Sequence, residues 1–321
     1  KALIDDIKKV CANYGLGNDG NEFKVITQVF LYKFLNDKYV FEIKKSDKKL
    51  AEADNWEEVF SIYTDKDIAK LNMRLKPSVA RIRPDHFITS LFNKQDKPNF
   101  AEIFDTTLID IAKDNSDIFS VLTEGGEKIV LFENLSKYVT DNRDQFCKAL
   151  INKLTDFSFE NIFNEKFDFY ATIFEYLIKD YNTNSGGKYA EYFTPHAVSK
   201  IMARCLVNGD VDNATCYDPS AGSGSLLMNL AHQIGEDKCT IYSQDISQKS
   251  SSLLRLNLIL NDLVHSIHNI IKGNTILDPY HKEENGELRR FKFITSNPPF
   301  KLDFSDFSAD LDSKENQERF F

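Results

Sequence analysis

No stretch of the chain reaches the run of about 18 apolar residues that a membrane helix needs. The opening residues, KALIDDIKKV, carry acids among the apolar positions where a signal peptide would have an unbroken core. The expectation is a chain without a membrane span, not exported, and therefore cytoplasmic. Cysteine is sparse as well: Cys11, Cys147, Cys205, Cys216 and Cys239 are five in number and form no C-x-x-C pair. That excludes a disulfide framework and a zinc cluster as first readings and leaves reduced thiols. Positive charge is the third shortage. With 40 basic against 49 acidic residues the net charge is -9, and a chain so charged repels a phosphate backbone unless a local patch or a partner compensates. The densest basic segment is RLKPSVARIRP, with Arg74, Lys76, Arg81 and Arg83; such a run is more often a solvated face than a binding surface.

What is present divides in two, as a length of 321 residues suggests at about 150 residues per domain. In residues 1–160, segments such as LIDDIKKVCANY, EFKVITQVFLYKFLND, AEIFDTTLIDIAKD and DQFCKALINKLTDF place apolar residues at three- and four-residue intervals. This spacing predicts a helical N-terminal domain. A further helix, KFDFYATIFEYLIKDY, aligns Phe167, Tyr170, Phe174, Leu177 and Tyr181 on one face, as core packing requires. Residues 161–321 form the second domain. Here short β-like runs alternate with helical stretches: TCYDPSAGSGS, LLMNLAHQI, CTIYSQDIS, QKSSSLLRLNLILNDL, NIIKGNT and FKFITSNPPF. The fold class is therefore α/β, a doubly wound, mostly parallel sheet. Such sheets bind ligands beyond the carboxyl ends of their strands, where the strand order reverses.

The loops in those places hold the unusual residues. Asp218-Pro219-Ser220-Ala221-Gly222-Ser223-Gly224-Ser225 puts glycines between a strand and a helix, which permits a tight turn and close approach of a ligand. It lacks the third glycine of a dinucleotide fingerprint and the Lys-Ser/Thr of a phosphate-binding loop. Packing of strand on helix is the plain alternative. A carboxylate at position 218 suits a cationic ligand, and S-adenosylmethionine carries an ammonium and a sulfonium. Asp245, one helix and one strand later, can accept from ribose hydroxyls or cap the following helix, and both roles can hold. Asn274, in Lys272-Gly273-Asn274-Thr275, can take the exocyclic amine of a bound adenine through its amide oxygen or close an Asx turn. His265-x-x-His268 and Gly186-Gly187-Lys188 lack the companions of a metal or phosphate site and read as structural.

Asn297-Pro298-Pro299-Phe300 follows the apolar strand FKFITS. It can be no more than a turn, but its chemistry is specific. The lone pair of an aromatic amine is delocalised, and methylation requires that nitrogen to pyramidalise. The Asn297 amide oxygen and the Pro298 carbonyl can accept its two N–H groups, with Pro299 stiffening the pair. Phe300 can stack on a base displaced from its duplex.

With Glu191-Tyr192-Phe193-Thr194-Pro195-His196 ahead of the glycine loop, this order resembles the amino-methyltransferases with a DPxAGSG loop, an acidic strand end, a G-D/N-T loop and NPPF. It is similar in particular to the modification subunits of type I restriction systems. The resemblance covers residues 160–321, with Asn274 standing where many relatives have Asp. It implies a Rossmann-like S-adenosylmethionine-dependent domain that methylates N6 of adenine in double-stranded DNA. Glu191 to His196 would line the methionine end of the cofactor. Asp218, Gly222, Ser223, Gly224, Ser225, Asp245 and Asn274 would hold the rest, and NPPF would engage the base. It further implies a specificity subunit that reads sequence, a second modification subunit, a restriction nuclease subunit as an optional addition, and strands and helices beyond residue 321. Alternatives are a single-chain restriction-methylation enzyme and a protein-glutamine or RNA amino-methyltransferase. A non-enzymatic scaffold is disfavoured because each loop keeps its chemistry.

Overall fold

A computed structural model describes residues 1–17, 19–163, 173, 175–176, 194–299, 303 and 305–312. The chain divides into two compact units, one of Lys1–Phe119 with Val130–Gly186, the other of Ser120–Ile129 with Gly187–Phe321. No helix among the described residues is long and apolar enough to cross a membrane.

The first unit is helical for the reason its apolar spacing gives. In α1 (Ala2–Asn13), Leu3, Ile4, Ile7, Val10 and Cys11 form the buried face. α2 (Glu22–Ser46) is buried around much of its circumference, and α3 (Phe100–Asp114) and α1 both pack on α4 (Arg143–Thr155). Because α2 is covered on so many sides, some of its polar residues are buried too, and these tie down loops. Asn36 Oδ1 accepts from the Ile88 amide at 3.2 Å, and Asp37 Oδ2 accepts from the Phe159 amide at 2.9 Å. The other Asp37 oxygen lies 3.0 Å from the buried Lys33 ammonium. Phe159, thus held, packs edge-on against Phe30 and Phe34. The basic segment is partly consumed inside the unit. Arg83 makes a two-pronged pair with Asp114 at 2.6 and 2.9 Å, and Arg81 donates to the Val79 carbonyl at 3.0 Å.

The second unit contains one sheet, in the order β2-β1-β5-β4-β3-β6. Its strands are β1 (Val121–Thr123), β2 (Lys128–Ile129), β3 (Ala214–Asp218), β4 (Cys239–Asp245), β5 (Ile270–Lys272) and β6 (Phe293–Ile294). Only β1 and β2 run antiparallel; every other neighbouring pair is parallel. β4, central and nearly all buried, is covered as parallel strands must be. α6 (Ser225–Ile234) packs on β3, β4 and α5 (His196–Leu206), and α7 (Gln248–Leu260) packs on β4, β5 and β1. The chain runs β3, β4, β5 in one direction across the sheet and then returns to lay β6 on the other side of β3. The order therefore reverses between β3 and β6, as the doubly wound class requires.

Two differences from the sequence reading stand out. The boundary expected at residue 160 is not a single cut, because residues 120–129, read as part of the helical region, are a hairpin of the sheet. β1 finds its backbone partners on β5, with Leu122 opposite Ile271 and Thr123 opposite Lys272. The β6 run is shorter than FKFITS suggested, and it is an edge strand with Ile294 57% exposed. The helix expected over 166–181 lies almost wholly outside the described residues, as do Gly186-Gly187-Lys188, Glu191, Tyr192, Phe193 and Phe300.

Breaking the Lys33–Asp37 pair leaves an unmatched buried charge. Asp37→Ala should lower stability in urea unfolding by about 3 kcal/mol or more, whereas replacing both residues together, Lys33→Met with Asp37→Leu, should cost clearly less.

Candidate functional site

The site is built on the carboxyl ends of β3, β4, β5 and β6. β3 delivers Asp218, 1% exposed, whose Oδ1 accepts from the Ser220 amide at 2.9 Å. Burial pushes this carboxyl up to about 7, with the nearby Asp245 adding to the rise. The turn that follows depends on its glycines. Gly222 and Gly224 have φ of +54° and +82°, a region costly for other residues. Gly224 caps α6, and a Cβ there would lie 2.2 Å from Leu254 Cδ1 on α7. At this position the left-handed φ and the close packing of two helices both favour glycine. Ser223 gives its carbonyl to Asn257 Nδ2 at 3.1 Å, and its hydroxyl lies 3.2 Å from that of Ser225.

β4 delivers Asp245. Its Oδ2 accepts from the Gly222 amide at 2.9 Å and its Oδ1 from the Ser247 amide at 2.8 Å, while its backbone carbonyl accepts from Gly273 at 3.0 Å. The carboxylate thus braces the glycine turn and the start of α7. Ile246, absent from the sequence candidates, is 68% exposed beside it. An apolar side chain left open at a strand end is a signal the sequence offered, because Ile follows the acid directly.

β5 leads to Asn274, whose amide oxygen accepts from the Ile276 and Leu277 amides at 3.0 and 3.4 Å. Of the two roles open to it, the Asx turn is the one this geometry displays. Both lone pairs of that oxygen are engaged, and Nδ2 remains as the donor for a ligand. Thr275 Oγ1 donates to the Pro219 carbonyl at 2.6 Å, which ties this loop to the glycine loop.

β6 leads to the Asn-Pro-Pro segment. The Thr295 amide pairs with the Tyr217 carbonyl at 3.0 Å, and the Ser296 hydroxyl sits 2.7 Å from that of Ser220. Asn297 is exposed, and its Nδ2 donates to Thr194 Oγ1 at 3.1 Å. Pro298 and Pro299 are exposed beside it. Thr194 and Pro195 lead directly into α5, which begins at His196. The structure therefore brings Thr194, Asp218, Gly222, Asp245, Asn274 and Asn297 onto one mesh of mutually bonded loops.

The buried Asp218 has a consequence for stability. The folded chain holds this proton up to about pH 7, whereas an unfolded carboxyl releases it near the ordinary 3.8. Between these values the folded state binds more protons, so the carboxyl's contribution is fully present below about pH 4 and is lost as pH rises through about 7. Asp218→Asn should accordingly make the ligand-free chain more stable than wild type at pH 8, by up to about 4 kcal/mol, with little gain at pH 4; thermal unfolding across this range checks it. Gly224→Ala should lower stability at every pH, by about 2 kcal/mol or more, because it combines a left-handed φ with overpacking against Leu254.

Comparison with known proteins agrees with this geometry. The profile of the N-6 DNA Methylase family matches residues 165–321. The type I restriction enzyme MpnII methylase subunit of Mycoplasma pneumoniae is 27% identical over 173 residues, 51% of this chain and 31% of that protein. The MjaVIII methylase subunit of Methanocaldococcus jannaschii is 24% identical over 293 residues, 88% of this chain and 45% of that protein. The chain thus spans less than half the length of these curated relatives. In fold it is similar to the crystal structure of a type I restriction-modification system methyltransferase subunit from Streptococcus thermophilus, with a TM-score of 0.73 at 21% identity, covering 98% of this chain and 66% of that one. By its sequence profile, the stretch of this chain over residues 165–321 is similar to the N-6 DNA Methylase family, and the strand order and strand-end loops agree with that similarity.

Proposed function

We propose that this chain transfers a methyl group from S-adenosylmethionine to N6 of adenine in DNA, as the modification subunit of a type I restriction-modification complex. The observation that carries the reading is the Asn297 side chain. Its Nδ2 donates one hydrogen to Thr194, which orients the amide with Oδ1 as an acceptor, and it stands at the switch point next to the Asp218 loop.

The residues present suit the cofactor. Asp218 is a buried carboxylate that burial and a second carboxylate both disfavour in its charged form; a ligand bearing ammonium and sulfonium charges relieves that cost. Ile246 offers an apolar face for the adenine ring, and the Gly222 turn lets the ligand approach the backbone. Bound in this way, S-adenosylmethionine supplies an electrophilic methyl group. Asn297 Oδ1 and the Pro298 carbonyl accept the two N–H groups of the target amine, which turns its lone pair out of conjugation and towards the methyl. As the new N–C bond forms and the S–C bond breaks, positive charge grows on the nitrogen, and the two fixed oxygens stabilise it without reorganising. The extra proton then leaves to solvent, so a strong general base is not needed. By the family resemblance alone, Phe300 would stack on the displaced base, and Glu191 to His196 would line the methionine end.

The helical unit is assigned to partner and DNA contacts. A net charge of -9 and the internal pairing of Arg83 favour a specificity subunit, together with a second modification subunit, as the source of sequence readout and positive charge. The expected location is the cytoplasm.

The test uses the complete subunit with its specificity subunit. Asn297→Ala should abolish N6-methyladenine formation while leaving S-adenosylmethionine affinity nearly unchanged in calorimetry. Thr194→Val should slow transfer by about tenfold, the worth of one orienting hydrogen bond, with Thr194→Ser close to wild type. A normal rate for Asn297→Ala overturns the assignment.

A further inference from the structure

The hairpin Ser120–Ile129 contributes more than two strands to the sheet. Its turn is preset locally. The Gly126 amide bonds to the Thr123 carbonyl at 2.9 Å, the Thr123 amide bonds to the Glu127 carbonyl at 2.9 Å, and Gly126 has φ of +81°. That is a three-residue hairpin loop closed by a left-handed glycine, and it puts Glu124 in the first turn position. The hairpin's placement on the sheet is also fixed. The Glu124 amide bonds to the Lys272 carbonyl at 3.0 Å, extending the β1–β5 ladder, and Arg255 on α7 donates to the Ile129 carbonyl on β2 at 2.9 Å. Arg255 is buried, so it is an anchor with little freedom to move.

From this position Glu124 reaches the loop after β5. Its Oε2 accepts from the Asn274 backbone amide at 3.1 Å, and a Cβ on Gly273 would lie 2.3 Å from that same oxygen. Gly273 is therefore glycine where a carboxylate from a strand 150 residues earlier needs the space. With its backbone amide held by Glu124 and its side-chain oxygen held by Ile276 and Leu277, Asn274 keeps only Nδ2 for a ligand. A fixed donor at the end of β5 suits the N1 acceptor of adenine. It does not suit hypoxanthine, whose N1 carries a hydrogen.

We propose that Glu124 is a positioning residue for cofactor recognition: it braces the loop 273–275 so that Asn274 presents a donor to the adenine ring and rejects a hypoxanthine ring. This rests on the reading of these loops as the S-adenosylmethionine site.

The experiment is calorimetric titration of the full chain with S-adenosylhomocysteine and with S-inosylhomocysteine, its hypoxanthine counterpart. Wild type should prefer adenine by about tenfold, and Glu124→Ala should reduce the preference to about twofold. Glu124→Gln, whose amide oxygen still accepts, should retain it. Gly273→Ala should expel the carboxylate and reproduce the Glu124→Ala loss, and the double variant should lose no more than either single one, because both act on one contact. Thermal unfolding of Glu124→Ala should stay close to wild type, which separates a lost brace from a damaged fold. Full preference in Glu124→Ala, or additive losses in the double variant, overturns the inference while leaving the cofactor reading intact. If wild type binds neither compound, the cofactor reading has failed and this inference fails with it.

Discussion

Asp245 holds the site together. One carboxylate oxygen takes the Gly222 amide, the other takes the Ser247 amide at the head of α7, and the backbone carbonyl takes Gly273. Three strand-end loops thus share one residue. A carboxylate accepting two backbone N–H groups inside a partly buried site is strongly tied to its place, and the turn with φ of +54° at Gly222 is held against it. The remaining cross-links extend the same mesh: Thr275 to Pro219, Ser220 to Ser296 and Thr194 to Asn297. The loops have little freedom to rearrange separately, which is what preorganisation means in terms of bonds.

The mesh also determines which polar groups are left over for chemistry. Asn297 is oriented by one Nδ2–H bond to Thr194 and keeps its acceptor. Asn274 has spent its acceptor and keeps its donor. The two asparagines, alike in composition, are oriented differently by their neighbours, one with its amide oxygen open and the other with its amide oxygen engaged. Asp218 is the opposite kind of leftover. It is a buried carboxylate whose charged form the fold disfavours, so the folded state carries a cost when the group is ionised. Sites that store strain or unfavourable charge in this way are common where binding or catalysis needs the energy.

Positive charge in the helical unit is used largely within the unit. Of the one basic cluster the sequence offers, Arg83 is neutralised by Asp114 and Arg81 is turned to its own backbone. Both are internal uses that hold the helical unit together. That pattern agrees with relatives named as methylase subunits, of which this chain spans under half the length.

Much of the second unit was legible in the sequence because its signals are local. Alternation of short apolar runs with helical stretches gave β3 to β6 and their order of appearance, and the glycines, Asp218, Asp245 and Asn-Pro-Pro sat where loops must follow strands. The chemistry of an NPPF segment is likewise a matter of adjacent residues. Pairing across the sheet is not local. VLTEGGEKIV has a hairpin's turn, yet it lies among helices in the chain, and nothing in its neighbourhood says that its backbone groups will be satisfied by β5, some 150 residues away. For the same reason the packing of Leu254 against Gly224 and the reach of Glu124 to the 273–274 loop are not visible in the sequence, and the choice between two roles for Asn274 waits on which backbone amides its oxygen meets. The sequence by itself determined the strands and the turns, since these follow from steric preferences and periodicity within a few residues. Only the tertiary structure decided which residues brace which, because that depends on hydrogen-bond partners brought together by a sheet whose neighbouring strands are far apart along the chain.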